Sequence, residues 1–339
     1  MWIKKFCMLI GLTISSLAFA HANDAQDAYD RGDFVTAVNL LQPLAEKGDA
    51  EAQMNLAAMF YHGMGTIADK AEAFKWYLRA AEQGNARAQA VIGTAYYDGD
   101  TVAVDKGEAV KWYRRSAVQG NPASQYALGR IYFSGNGVLE DKAAAVKWFR
   151  RAADQGESLA QVSLGFLSRD GNFVQADQGE AIKWFTEAAA SGEPNAQSAL
   201  GHIYRFGDGV PVNKTEAFRL YLLAAEQGDA NAQSALGSMY GQGDGVVENA
   251  ISAVTWYRKA AEQGEMVAQT NLANAYYNGD GIPVDKSEAL KWYHRAAEQG
   301  EFHAQINLTL MYKTGDGVMV DKNEALKWYN RAKEQRSAK

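Results

Sequence analysis

The sequence predicts an all-α chain, an α/α superhelical solenoid built from 36-residue helix-turn-helix repeats. Three series of residues predict it. Trp76, Trp112, Trp148, Trp184, Trp256, Trp292 and Trp328 are spaced by 36 residues or twice that, with Leu220 in the open place. Gly48, Gly84, Gly120, Gly156, Gly192, Gly228, Gly264 and Gly300 keep the same beat. So do Gln53, Gln89, Gln125, Gln161, Gln197, Gln233, Gln269 and Gln305. A fixed period in this range is the mark of a stacked repeat array.

Residues 85–120 show how one unit works. Ala88, Ile92, Ala95 and Tyr96 recur at helical spacing, which predicts a first helix with one buried face. Gly99 ends it, and most units carry Gly-x-Gly at this turn, as in Gly207-Asp208-Gly209. Asp105, with Glu108 three residues on, opens the second helix as a capping box. The arrangement recurs as Asp69/Glu72, Asp177/Glu180, Asn213/Glu216, Asp285/Glu288 and Asp321/Glu324. Trp112, Tyr113, Ser116 and Ala117 follow before Gly120 closes the helix. Gly93, Gly129, Gly165, Gly201 and Gly237 fall inside first helices, where glycine costs about 1 kcal/mol relative to alanine. Such a cost is tolerated where a neighbour must come close.

The array has boundaries. Lys4 and Lys5 precede an apolar run over residues 6–19, followed by the small-x-small patterns Ala18-Phe19-Ala20 and Ala20-His21-Ala22. This is the form of a secretory signal over residues 1–22, cleaved near Ala20 or Ala22. The run is shorter than the roughly 20 residues a membrane span needs, so no span is expected in the mature chain. Cys7, the single cysteine, lies within the signal, so no disulfide or cysteine metal ligand is expected. Residues 23–48 read as an N-terminal half-repeat acting as a cap, residues 49–336 as eight repeats in one domain, and residues 337–339 as a tail.

The pattern Ala-x-x-Gly, then Ala-x-Gln-x-x-Leu-Gly-x-x-Tyr-x-x-Gly-x-Gly-Val, then Asp-x-x-x-Ala-x-x-Trp-Tyr, resembles the Sel-one-like repeat (SLR) family, a relative of the tetratricopeptide repeats. The resemblance covers about residues 26–336 and implies a helical scaffold that binds protein or peptide partners. In bacteria it also implies a periplasmic or secreted adaptor or regulator. Three places depart from the pattern. Ser168 and Phe173 replace Tyr and Gly, Asn249 and Ser252 leave one unit without its box glutamate, and Leu220 replaces Trp.

Composition narrows the function classes. Apolar residues make up 47% of the chain, ample for a core, and charge is mildly acidic, with 34 Lys+Arg against 40 Asp+Glu. No basic run offers a face for nucleic acid, so none is expected as a partner. The phosphate-loop, dinucleotide, zinc-protease and serine-hydrolase motifs are absent. Lys313-Thr314-Gly315 matches one box of the serine β-lactamases, but no Ser-x-x-Lys accompanies it. A hydrolase of cell-wall material or β-lactams, or a structural subunit of an envelope complex, therefore stands only as an alternative. His62, His202, His294 and His303 occupy different slots, His294 on the solvated side of a second helix, so no metal or other cofactor is expected.

A partner-binding face is located by subtraction. Within the first helix of residues 85–120, the positions that change from unit to unit are those of Arg87, Val91, Thr94 and Asp98, which fall on one stripe. In helix-pair solenoids the first helices line the concave face. Across the units the stripe holds Asn55, Arg87, Arg130, Phe166, His202 and Phe206. It continues through Asn231, Asn271, Asn274, Asn278, His303 and Asn307. Asparagine amides both donate and accept, which suits the backbone of an extended peptide, with Phe166 and Phe206 as apolar anchors. The chain is expected to act as a monomer.

Overall fold

The computed structural model of the chain describes residues 16–171 and 173–337, with side chains from residue 23 to residue 336. Residues 1–15, most of the expected signal, lie outside the described residues. Eighteen helices and no strand are present among the described residues. The first pair is α1 (Ser16–Asp30) and α2 (Phe34–Glu46), joined by the short turn at Gly32. The pairs of the next four units are α3 (Ala50–His62) and α4 (Lys70–Glu82), α5 (Ala86–Asp98) and α6 (Lys106–Val118), α7 (Pro122–Ser134) and α8 (Lys142–Ala153), and α9 (Ser158–Asp170) and α10 (Gln178–Ala190). Four more follow: α11 (Pro194–Phe206) and α12 (Lys214–Glu226), α13 (Ala230–Gln242) and α14 (Ala250–Glu262), α15 (Met266–Asn278) and α16 (Lys286–Glu298), and α17 (Phe302–Thr314) and α18 (Lys322–Ser337). The helices fall into two compact units, residues 1–164 and residues 165–339. Within each unit, sequential helices pack on one another.

Local chemistry sets the helix ends. Asp105 Oδ1 accepts the Glu108 amide at 2.9 Å, and Asp69, Asp177, Asn213, Asp285 and Asp321 do the same for the glutamates three residues on. The expected reciprocal half of the capping box is not formed. The amide of Asp105 is already spent on the Tyr96 carbonyl, 2.9 Å away, which ties the second helix back to the first. Most of the freed glutamates turn to a cation three residues on, Glu108 to Lys111 at 2.6 Å and Glu72 to Lys75 at 2.8 Å, whereas Glu180 accepts from Ser168 at 3.1 Å. First helices carry caps of their own, among them Asp49, Asn85, Asn121 and Asp229.

The helix glycines have a packing cause. A Cβ on Gly237 would lie 2.5 Å from the Tyr257 ring, and one on Gly129 2.5 Å from the Phe149 ring. The close neighbour is thus the aromatic residue of the unit's own second helix. The tryptophans beside those rings sit under cations one turn on: Arg79 over Trp76, Arg115 over Trp112, Arg295 over Trp292. Where Leu220 replaces Trp, Leu223 replaces the cation, and Leu220 is itself buried. Among the described residues Phe173 alone adopts a positive φ without being glycine, at 66°.

Candidate protein-binding surface

In residues 1–164 a groove of about 950 Å³ opens over the first helices. Asn55 on α3, Arg87 on α5 and Arg130 on α7 line it, with Val91, Thr94 and Leu159. The charged groups there differ in how far they are committed. Lys70 and Asp100 are paired at 2.7 Å, and Asp49 is occupied in capping α3. Arg87 reaches Glu51 only at 4.0 Å, and Arg130 lies 5.9 Å from the Tyr126 ring and forms no ion pair among the described residues. Beneath them Thr94 Oγ1 and the Tyr113 hydroxyl are 3.0 Å apart, and burial pushes the Tyr113 phenol up to about 12. Such a floor takes hydrogen bonds without ionising.

In residues 165–339 the stripe is more varied. Phe206 is exposed, stacked on His202 at 4.6 Å between ring centres, with Arg205 over its face. Phe166 is half-buried, with its ring 5.0 Å from that of Phe185. Asn231, Asn278 and His303 are exposed, and Asn271 is half-buried. Asn274 and Asn307 are not free amides. Asn274 Oδ1 accepts the Tyr293 hydroxyl at 2.5 Å and the Asn307 amide at 3.3 Å. This pair supports a buried tyrosine before it meets any partner.

His294 also differs from expectation. It is half-buried between Tyr312 and Trp328, with Nε2 2.9 Å from the Tyr312 hydroxyl. Burial holds its pKa below the ordinary histidine value. At Lys313-Thr314-Gly315 the local geometry is that of a helix end. Thr314 donates to the Leu310 carbonyl at 2.9 Å, and Gly315 closes α17 in the left-handed conformation.

A contact between repeats went unseen in the sequence. Asp100, in the turn after α5, accepts the Tyr61 hydroxyl at 2.6 Å and pairs with Lys70, both from the preceding repeat. Asp244 is held likewise by Arg205 at 2.8 Å and Lys214 at 2.7 Å, and Asp316 by Tyr277 and Lys286. In each case the lysine lowers the carboxyl's pKa most.

The helix pairs recur with one period, and so, apart from Leu220, Thr101 and Phe173, do the aromatic pair of the second helix and the loop glycines. The model of the Sel1 repeat matches eight successive segments: 50–85, 86–121, 122–157, 158–193, 194–229, 230–265, 267–301 and 302–337. The chain belongs to the Sel1 repeat family. Among solved structures, it is similar to a protective antigen of uropathogenic Escherichia coli strains that displays an SLR fold. Identity is 32%, over 94% of this chain and 77% of that one, with a TM-score of 0.74. A Sel1 repeat protein from Oxalobacter formigenes is 33% identical, over 72% of this chain and 96% of that one, with a TM-score of 0.66. No curated protein matches the chain. Sel1 repeat proteins are generally non-enzymatic scaffolds that bind other proteins. No described helix of this Sel1 repeat chain is long and apolar enough to cross a membrane.

Proposed function

We propose that this Sel1 repeat chain is an exported scaffold, periplasmic or secreted, that holds an extended protein segment along the stripe of its first helices as an adaptor or regulator. One observation carries the reading. Asn55, Arg87, Val91, Thr94 and Arg130, all at positions that vary from repeat to repeat, are among the residues that line the groove in residues 1–164. Arg87 and Arg130 add directional charge there, and Asn55 adds an amide able to meet a peptide backbone. Export rests on the form of residues 1–22.

The test is crosslinking in cells of the tagged chain against a variant carrying Asn55→Ala, Arg87→Ala and Arg130→Ala together. A discrete adduct lost in the variant, with helical content unchanged, supports the groove. An adduct that persists unchanged removes it. Cell fractionation with N-terminal sequencing tests export, which fails if the chain stays in the cytosol with Met1 in place.

A further inference from the structure

The loop carboxylates described above follow a rule of position. Each meets a long side chain 39 residues earlier, at the end of the preceding first helix, and a lysine 30 residues earlier, at the start of the preceding second helix. Asp100, Asp244 and Asp316 all obey it. Asp280 occupies the same place after α15, but the two partner positions hold Gly241 and Ala250. Its carboxylate is exposed and, among the described residues, meets only the amide of Asn278, at 3.2 Å. Asp208 differs less. Arg169 still stands at the first partner position, and Gln178 at the second reaches the loop carbonyl at 3.2 Å. Asp280 has lost both partners.

Space accompanies the missing charge. A Cβ on Gly241 would meet nothing nearer than Ala253 Cβ at 3.6 Å and the Tyr257 hydroxyl at 3.7 Å. A side chain could therefore start from position 241 without a clash, and the chain places none where other repeats carry tyrosine or arginine. Asp280 itself is bonded to Asn278, at the end of the stripe that also carries Asn271 and Asn274 on α15.

We propose that Asp280 and the slot left by Gly241 and Ala250 form a binding site for a lysine or arginine side chain of the partner. The occupant is argued from the chain's own chemistry. The same carboxylate position in other repeats takes a lysine ammonium together with a tyrosine hydroxyl or a guanidinium. A cation from outside restores that arrangement, and a net charge of −6 favours its approach. The site gives direction to the peptide, because a basic side chain fixes which residue sits over Asn278. The inference rests on the proposed stripe, and the experiment keeps the two apart.

The first arm asks whether the slot accepts a cation. Gly241→Tyr with Ala250→Lys rebuilds the arrangement seen around Asp316. The double variant should unfold at a higher temperature than the parent, and the gain should vanish when Asp280→Asn is added. No gain, or a gain indifferent to Asp280, overturns the vacancy. The second arm selects displayed random dodecapeptides on the full chain. Selected peptides should be enriched in Lys or Arg and lose about tenfold or more in affinity to Asp280→Asn and to the filled variant. Peptides that bind, are lost on replacing Asn271, and show no basic preference would overturn this site while leaving the stripe standing. Failure to select any peptide would overturn both.

Discussion

Gln83 donates from Nε2 to Oε1 of Gln53 at 2.7 Å, and Gln53 donates in turn to the carbonyl of Ala45 at 2.9 Å. The relay joins the end of one second helix, through the next first helix, to the end of the following second helix. It recurs from Gln119 through Gln89 to Ala81, and from Gln263 through Gln233 to Ala225. In the last unit it breaks. Arg336 stands where the other units have glycine, α18 runs on to Ser337, and the buried Gln305 Oε1 has no partner.

Because Gln233 is buried, Gln233→Ala strips a partner from the Ala225 carbonyl and from Gln263 at once. The expected loss is about 2 kcal/mol, read by urea unfolding followed by circular dichroism. Gln263→Ala, at the exposed end of the relay, should cost less than half as much.

Phe173 holds a conformation that glycine adopts freely and phenylalanine does not. Phe173→Gly should stabilise the chain by about 1 kcal/mol, since an L side chain in the left-handed region costs about 1–2 kcal/mol. A lower melting temperature for this variant would show that the ring contributes more than the strain removes.

Gly237→Ala reverses the usual helix preference. Alanine gains about 1 kcal/mol in propensity, but its methyl would press on the Tyr257 ring. A net loss of about 1–3 kcal/mol is expected from overpacking. The readout is the unfolding midpoint of the single variant, with Tyr257→Ala in the same background restoring the tolerance of alanine.

Acid should loosen the contacts between repeats. Asp244 is held below its usual pKa by Lys214 and Arg205, so its pairing stabilises fully above the ordinary carboxylate value and is lost as pH falls through the lowered one. The stability difference between the parent and Asp244→Asn should therefore be large at pH 7 and shrink below about pH 4. His294 acts at higher pH. Burial lowers its pKa against the opposing pull of Glu298 and Glu324, so its contribution is complete above about pH 6.5 and declines as pH falls. Melting curves from pH 8 to pH 3 should show the His294 step abolished in His294→Phe.

The period of tryptophan, glycine and glutamine carried the fold, because each position repeats one packing environment. The box glutamates misled, since nothing local reveals that the Asp105 amide is already tied to Tyr96. The asparagine stripe was legible as a set of varying positions, but not the bond from Tyr293 that commits Asn274. The Asp100 contact pairs residues of neighbouring repeats, and only the packed register brings Tyr61 and Lys70 to it. His294 became buried because Trp328 and Tyr312 of the next repeat close over it.

A partner lying along the first helices should be within reach of a side chain in the groove. The measurement is photo-crosslinking from a residue placed in the groove at Ala127, compared with one placed on the exposed face of α6 at Lys111. A single discrete adduct is expected from Ala127 and none from Lys111, and the adduct should be lost when Arg87 and Arg130 are replaced by alanine. Adducts from Lys111 alone, with none from Ala127, would contradict a partner along the first helices.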